Sequence, residues 1–281
     1  MARTAHRLSV LAITFAAAAG LAVAPAAAQD MGNNGNVSLS SGVDIVNKYY
    51  FRGIVQETGG FIAQPFLDGS IDFGGASITA GTWSSLHSRG DGSFYETDFY
   101  AGIGGAAGPV GIDLTYTAYM SPRGSWGTTK EIALGFSVDN VAAPYVTTAF
   151  EVAGGADGGP NKGSYLEFGI EPAAPLDDAP VSVSFPVAVG MSLSNYYEHM
   201  HDDHDDHGHA HDHDAEWVDS TFGFLSAGVS IGIPLNVPEQ YGSWGIALGV
   251  NALVLGEGAK VIDGGDSSTK IIALFGLSLG Y

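Results

Sequence analysis

The chain of 281 residues contains no cysteine, few charged residues and very little basic charge. The absence of cysteine excludes a disulfide framework and thiol chemistry. Lys and Arg together number 10 against 30 Asp and Glu, which gives a formal net charge of -20. Such a balance argues against nucleic-acid binding, which requires basic patches, and is compatible with cations as partners.

Long hydrophobic runs are also scarce, apart from one near the N-terminus. Two arginines precede an apolar, alanine-rich stretch over 8–23, and small residues at 26–28 suit a cleavage site. A basic start, a short apolar run and a small-residue end are typical of a secretory signal peptide. We therefore predict a signal peptide over 1–28 and a polar, flexible leader over 29–36. No other run approaches the about 20 apolar residues that a membrane helix needs.

What the sequence has instead is alternation of apolar and polar residues along extended, glycine-rich segments. In 270–281, every second residue from Ile271 to Tyr281 is apolar or aromatic, whereas the intervening residues end small or polar. Because side chains alternate across a strand, this segment has one apolar face along its whole length. Soluble strands usually run about five to six residues, and a tilted membrane strand needs about nine to eleven. The segment therefore suits a transmembrane strand.

Similar segments recur along 37–281, and we predict about twelve of them, an even number as single-chain bacterial barrels prefer. Short connections at 74–75, 108–109 and 139–140 alternate with long ones at 88–92, 122–128, 154–162, 198–217 and 256–268. Short periplasmic turns and long external loops are typical of outer-membrane barrels. The predicted fold is all-β, a transmembrane antiparallel up-and-down β-barrel in the outer membrane; the soluble alternative is a β-sandwich.

The parity of the strands gives each connection a side of the membrane. With the N-terminus in the periplasm, the connections 49–60 and 198–217 lie outside the cell. The last strand is expected to pair with the first near 37–47 and to close the barrel. Its terminal Tyr281 then faces the periplasm, where the barrel-assembly machinery is the expected partner.

Acidic side chains fall on the strand face opposite the aliphatic one, which in a barrel is the lumen. The predicted lumen and selectivity residues are Asp44, Arg52, Asp68, Asp72, Glu96, Asp98, Asp113, Glu131 and Glu167. A water-filled acidic lumen favours cations over anions. The alternative is that these acids form a hydrogen-bonded plug in a closed barrel. We expect Arg52 to form an ion pair with acids of neighbouring strands.

Seven of the nine histidines lie in 199–214, interleaved with aspartate. The candidate metal ligands are His199, His201, His204, His207, His209, His211 and His213. Imidazole supplemented by carboxylate suits zinc, nickel or copper ions, and the spacing lets two ligands reach one ion. The alternative is a solvated acidic loop, and the many histidines also allow a response to pH.

Three segments carry a family resemblance: Tyr49 to Gln56, Ala80 to Ser85 and Tyr95 to Gly102. A Phe-Arg-Gly-x-x-Gln segment, a Gly-x-Trp-x-Ser segment and an acidic Asp-x-Tyr-x-Gly strand in this order resemble the TorF family of Gram-negative porins. The resemblance covers roughly 37–122 and implies an outer-membrane barrel with a transport role and no catalytic residues. The His/Asp insertion departs from the family pattern, so no substrate is carried over.

Two further patterns lead to expectations. Aromatic residues lie near the predicted strand ends, and we interpret them as interfacial girdles. They are Tyr49, Tyr50, Trp83, Tyr119, Trp126, Tyr196, Tyr197, Trp217, Trp244 and Tyr281. Ser85 and His87 share a strand face and could form a hydrogen bond, but the sequence offers no third group to orient them. We therefore expect no enzymatic activity.

These observations together predict a porin-like channel for passive diffusion of small solutes, biased toward cations by its acidic lumen. Metal capture or uptake through the His/Asp loop is the alternative, and a non-conducting structural barrel is a third. The expected partners are outer-membrane lipid and small solutes or metal cations, with no nucleic acid. No cofactor is required, although zinc, nickel or copper ions would bind the His/Asp loop.

Overall fold

The structure is a computed structural model that describes residues 36–89, 93–176, 179–201, 216–265 and 267–281. Its elements are β1 Val37–Val46, β2 Tyr49–Phe51, β3 Ile54–Glu57, β4 Ile62–Asp72, β5 Ala76–His87, β6 Glu96–Ala107, β7 Val110–Met120, β8 Thr129–Val138, β9 Tyr145–Ala153, β10 Ser164–Ile170, β11 Ser182–Ser184, β12 Val187–Ser194, β13 Glu198–His201, β14 Glu216–Asp219, β15 Phe222–Leu235, a 3-10 turn Glu239–Tyr241, β16 Ser243–Leu255, α1 Glu257–Ile262 and β17 Thr269–Gly280. No helix in these ranges is long and apolar enough to cross a membrane.

The strands form a closed antiparallel β-barrel of twelve strands, as predicted. Neighbours in sequence are neighbours in the sheet from β4 to β10, and β1 lies between β4 and β17. The seam joins the first strand to the last, with Ser40 opposite Gly280 and Val46 opposite Leu274. Tyr281 also exchanges two backbone hydrogen bonds of 2.8 Å with Leu39 beyond the end of β17. The predicted pairing of the terminal strands is therefore confirmed.

Two short strands, β11 and β12, together fill one position in the barrel, since both pair with β15. The alternation of apolar and small residues over 181–196 by itself predicts one continuous strand there. Pro186 lies between them and has no N–H to donate to the ladder, so the strand is interrupted there. The backbone of Phe185 instead donates to Pro172 outside the barrel wall, at 3.0 Å.

Apolar residues cover the outside of the barrel because the alternation in sequence matches the strand pleat. In β7, Ile112, Leu114 and Tyr116 are exposed, whereas Thr115 and Thr117 between them are buried. In β17, Ile271 and Phe275 are exposed, and Ile272 and Leu274 point inward. The predicted inward and outward faces of these two strands are thus confirmed.

The two ends of the barrel differ. Short connections over 73–75 and 108–109 lie at one end, here named the turn end. Apart from the connection over 171–181, the long connections lie at the other end, named the loop end. Three of them contain further structure: the hairpin β2–β3, the hairpin β13–β14 and the helix α1. The buried core of the molecule sits inside the barrel toward the loop end, where the hairpin β2–β3 and the inner faces of the strands pack together.

Candidate functional site in the barrel interior

Acidic side chains occupy the interior at two levels. Asp68 and Asp113 are half-buried on the inner faces of β4 and β7 toward the turn end, and Asp44 is half-buried on the inner face of β1, nearer the loop end of that strand. Asp68 accepts hydrogen bonds from the hydroxyls of Tyr100 and, at 3.5 Å, Ser40. Within the described ranges, no ion pair joins these three aspartates to a basic side chain. The lumen therefore carries uncompensated negative charge when these carboxyls are ionised.

The fourth predicted residue of this group, Asp72, lies at the very end of β4. Its side chain is exposed and accepts a hydrogen bond of 2.5 Å from the backbone N–H of Gly74. The carboxylate thus orders the short turn at 73–75, where Gly74 has a positive φ of 83°. Asp72 therefore lies at the mouth of the barrel at the turn end.

Toward the loop end, the predicted acids Glu96, Asp98, Glu131 and Glu167 are almost fully buried. Glu96 accepts from the Tyr49 hydroxyl at 2.8 Å, and Glu167 accepts from the Tyr145 hydroxyl at 2.8 Å. The Oδ1 atom of Asp98 has no hydrogen-bond partner among the described residues. Most of these carboxylates therefore form hydrogen bonds, as the alternative of a closed barrel with a hydrogen-bonded plug predicts.

Arg52 lies at the centre of these contacts. Its guanidinium forms two hydrogen bonds to Glu131, of 2.6 and 2.8 Å, and a third of 2.8 Å to the Tyr196 hydroxyl. The carbon atom of the guanidinium lies 4.3 Å from the ring centroid of Tyr165. The side chain is only 6% exposed as a residue, so this is a buried, bidentate ion pair. The predicted ion pair of Arg52 is present, but its acid comes from β8, which is not a neighbouring strand.

The hairpin β2–β3 delivers Arg52 to this position. Its turn, at Arg52 and Gly53, has positive φ at both residues, 48° and 85°, as in the two-residue hairpin turns that match strand twist. The hairpin was expected as part of an external loop over 49–60. Instead it folds into the lumen, and Tyr49, Tyr50 and Ile54 are 1–2% exposed.

Two further side chains, from the connections at the loop end, hold the hairpin in place. The Tyr50 hydroxyl donates to Asp263, after α1, at 2.7 Å, and burial together with this carboxylate raises the pKa of Tyr50. The Tyr197 hydroxyl donates to the backbone carbonyl of Arg52 at 2.9 Å. The hairpin, these tyrosines and α1 thus fill the lumen at the loop end.

This arrangement overturns the interpretation of five aromatic residues as interfacial. Tyr49, Tyr50, Tyr119, Tyr196 and Tyr197 are buried inside the barrel rather than placed at a lipid boundary. A loop normally faces water and avoids large apolar side chains. The run Tyr-Tyr-Phe-Arg-Gly-Ile in a connection was therefore the signal for an inward fold.

Ser85 and His87 form the hydrogen bond that their spacing allows, with Oγ and Nε2 2.9 Å apart. The structure adds a third group that the sequence did not reveal, since Glu57 of the hairpin places a carboxylate oxygen 3.8 Å from His87 Nδ1. The order of the three groups is that of a hydrolytic triad. Ser85, however, is 0% exposed, and the His87 ring stacks on Tyr95 with centroids 4.4 Å apart. The arrangement fixes one edge of the hairpin to the wall.

The His/Asp tract continues from a small hairpin at the loop end. His199 is buried beside Tyr197, and the backbone of His201 pairs with Glu216 as the last pair of β13–β14. The other candidate ligands, His204, His207, His209, His211 and His213, lie outside the described residues. Within the described part of the chain, no three His, Asp or Glu side chains are grouped to hold a metal ion.

The base of this hairpin is tied to the connection over 154–163. Asn161 donates to Glu198 at 2.7 Å, and the backbone N–H groups of Gly159 and Glu198 donate to Asp157 at 2.8 and 2.6 Å. Burial, with a smaller effect of the Glu198 charge, raises the pKa of Asp157 from its ordinary 3.8 to about 6. The stem of the His/Asp tract is therefore anchored by carboxylates on the barrel rim.

Comparison with solved structures finds porins and other outer-membrane barrels. The chain is similar to the NanC porin (9% identity, 86% of this chain and 98% of that one, TM-score 0.44), to OmpF from Salmonella typhi in complex with daunomycin (8%, 87% and 97%, 0.38) and to an anion-selective porin from Comamonas acidovorans (11%, 87% and 98%, 0.34). A scan against family models and a search of curated proteins found no match. The assignment of a porin-like barrel fold therefore rests on the strand pairing itself.

Proposed function

We propose that the protein is a porin-like channel of the outer membrane through which small solutes diffuse passively, with a preference for cations. The observation that carries this proposal is a closed twelve-stranded barrel with an aliphatic outer surface and a carboxylate-bearing interior. The resemblance of 37–122 to the TorF family of porins agrees with it.

The outer surface supports the membrane location. Large apolar side chains on it are at least one-third exposed on every wall strand from β4 to β10, for example Leu67, Ile103 and Phe168. Monomeric soluble proteins rarely expose contiguous apolar patches larger than a few hundred Å². A lipid environment accounts for this belt, and the N-terminal signal peptide predicted over 1–28 supplies the route of export.

The interior supports the cation preference. Asp68 and Asp113 face the lumen toward the turn end, and Asp44 faces it nearer the loop end of β1. None of the three has a basic partner among the described residues, whereas Arg52 is neutralised by Glu131. Fixed charge of one sign in a confined aqueous space concentrates counter-ions of the other sign. Cations are thus enriched in the lumen.

Planar-bilayer recording with a salt gradient tests both parts. We expect single-channel currents with a reversal potential on the cation-selective side. The double variant Asp68→Asn with Asp113→Asn should move that potential toward zero, whereas Asp139→Asn, an exposed residue of a turn, should not. Absence of channels, or a preference for anions, would contradict the proposal.

A second candidate is metal capture at the outer mouth by the histidines of 199–213. One observation favours it: β13 and β14 carry this tract at the loop end, on a stem fixed to the barrel rim. Imidazole and carboxylate suit zinc, nickel or copper ions. This tract would raise the local concentration of such ions above the barrel.

Removal of 202–215 with a short Gly-Ser link tests metal capture and leaves β13 and β14 intact. We expect loss of zinc binding by calorimetry and slower growth of cells under zinc limitation. The matched control replaces the aspartates of the tract with asparagine and keeps the histidines. Unchanged growth and uptake after the deletion would contradict a physiological role in metal capture.

The filled loop end supports a third candidate, a barrel that does not conduct. The bilayer measurement distinguishes it from the channel, because a non-conducting barrel inserts without any current under all conditions.

A further inference from the structure

The hairpin β2–β3 differs from the barrel wall in how it is attached. Its two strands pair with each other as a separate sheet, and in the described ranges no ladder of backbone hydrogen bonds joins them to a wall strand. The contacts that hold it are made mainly by side chains: Tyr49 to Glu96, Arg52 to Glu131, and Tyr50 to Asp263. Departure of the hairpin would break these side-chain contacts and its packing in the core, but no backbone ladder of the barrel wall.

The chain on one side of the hairpin contains a suitable hinge. Gly59 and Gly60 separate β3 from β4, and Gly60 has a positive φ of 80°. Hinges in proteins are a few residues at the ends of elements that absorb a large change of backbone dihedrals, and small residues are common there. Rotation at 58–60, together with a change of the backbone at 47–48 between β1 and β2, would carry the hairpin out of the lumen while β1 and β4 stay in the wall.

The tip of the hairpin is strained in its turn and, in the closed position, has an unsatisfied buried group. Arg52 adopts a φ of 48°, a left-handed conformation that residues with a Cβ rarely occupy outside Asn and Asp. Its Nε atom is buried without a hydrogen-bond partner among the described residues. A strained, incompletely satisfied residue persists when the surrounding structure holds it, and such residues cluster at clamps and switches. Here the bidentate contact with Glu131 holds it.

We propose that the hairpin β2–β3 is a hinged gate that closes the lumen at the loop end, and that the Arg52–Glu131 ion pair is its latch. This inference rests on the proposed channel function, since a gate requires a conducting lumen. Opening removes the guanidinium from Glu131 and the Tyr49 hydroxyl from Glu96, so both carboxylates then face the pathway. The open pathway therefore carries two more exposed carboxylates than the closed lumen does, which favours cations.

Bilayer recordings of three proteins test the latch. Glu131→Gln should raise the fraction of time spent open by about tenfold or more, since a buried ion pair that loses one partner is strongly destabilised. The matched control is Glu151→Gln. Glu151 pairs directly with Glu131 across β8 and β9, but its carboxylate accepts from the backbone of Ala156 and Gly163 and not from the hairpin. Equal open fractions in both variants would overturn the latch.

A disulfide lock tests the gate and leaves the side chains of Arg52 and Glu131 in place. A Cβ atom built at Gly53 lies 3.2 Å from the Cβ of Phe224 on β15, close to the about 3.5–4.5 Å found in disulfides. The chain has no cysteine of its own. We expect Gly53→Cys with Phe224→Cys to conduct when reduced and to lose its current when oxidised, whereas each single variant is indifferent to the oxidant.

The outcomes separate the gate from the channel. If the wild type conducts and the oxidised double variant conducts equally, the gate is overturned and the channel stands. If the wild type is silent and Glu131→Gln conducts, the gate is supported and the wild type is its closed state. If neither the wild type nor any variant conducts, the channel function fails and the gate fails with it.

Discussion

Arg52 shows how one residue ties the hairpin to the barrel. Its left-handed backbone costs about 1–2 kcal/mol relative to the right-handed one, which is the reason Gly or Asn usually takes this place in a turn. Burial of its charge is offset by two hydrogen bonds to Glu131 and by the ring of Tyr165. Because both charges are buried, removal of either partner leaves the other charge without compensation.

Removal of both partners should cost less than the sum of the two single removals. We expect Glu131→Gln to lower the free energy of unfolding by about 3 kcal/mol, because it leaves the guanidinium buried without an anion. The double variant Arg52→Met with Glu131→Met should lose less than the sum of the two single methionine variants. Urea unfolding in detergent micelles, followed by tryptophan fluorescence, measures these values. Strictly additive losses would show that the two residues act independently.

At the scale of elements, the long connections form a layer over and inside the loop end. The β2–β3 hairpin contacts Asp263 after α1, and Tyr196 and Tyr197 before β13, while the connection 154–163 binds Glu198. The position of each connection therefore depends on the others. The His/Asp tract emerges from this same layer.

Asp157 makes the attachment of the β13–β14 stem depend on pH. The pKa of Asp157 is about 6 in the folded chain and 3.8 ordinarily. Between these pH values the folded chain retains the carboxyl proton that the unfolded chain has lost. The contribution of this proton to the free energy of unfolding is fully present below pH 3.8 and is lost as the pH rises through about 6. We expect Asp157→Asn to remove this decline, measured as urea midpoints of variant and wild type between these two pH values. Asp139→Asn is the control, and an equal effect of both would refute the assignment.

At the scale of the whole molecule, the exposed apolar side chains of the outer surface bear on whether the barrel lies in water or in lipid. Leu114 lies midway along β7 and Met120 at its end, and both are exposed, at 47% and 39%. In water an exposed arginine at either place would be tolerated. In a bilayer, the cost of arginine depends on its depth.

We therefore expect Leu114→Arg to destabilise the barrel by about 2–4 kcal/mol in lipid vesicles and Met120→Arg by about 0–1 kcal/mol. Urea titration of folding into vesicles measures both, and the same titration in detergent micelles serves as a comparison. Equal, small costs for the two variants would contradict a membrane-spanning orientation of β7.

Much of the wall could be predicted because a strand needs only local information. The alternation in 110–120 and 270–281 specifies which residues face in, and the turn signals at 74–75 and 108–109 specify where strands end. The exception on the wall is the strand broken at Pro186, since the missing N–H matters only once the neighbour β15 is in place. Strand boundaries elsewhere differ by a few residues.

The interior could be predicted only in part. The inward position of Glu131 follows from strand parity, and its pairing with an arginine follows from the cost of burying a lone charge. Nothing local decides whether the connection over 49–60 points outward or inward. That depends on whether the lumen offers carboxylates and aromatic rings to receive Arg52 and its neighbouring tyrosines.

The sequence by itself therefore determined the barrel, its even strand number, its closing seam and the faces of its strands, because the period of two is written in consecutive residues. Only the tertiary structure decided that the loop end is filled, since Tyr49, Arg52 and Ile54 meet Glu96, Glu131 and Tyr196 across large separations in the chain. Those contacts form once the wall has brought the acids and rings together, and they turn a segment expected at the surface into the centre of the molecule.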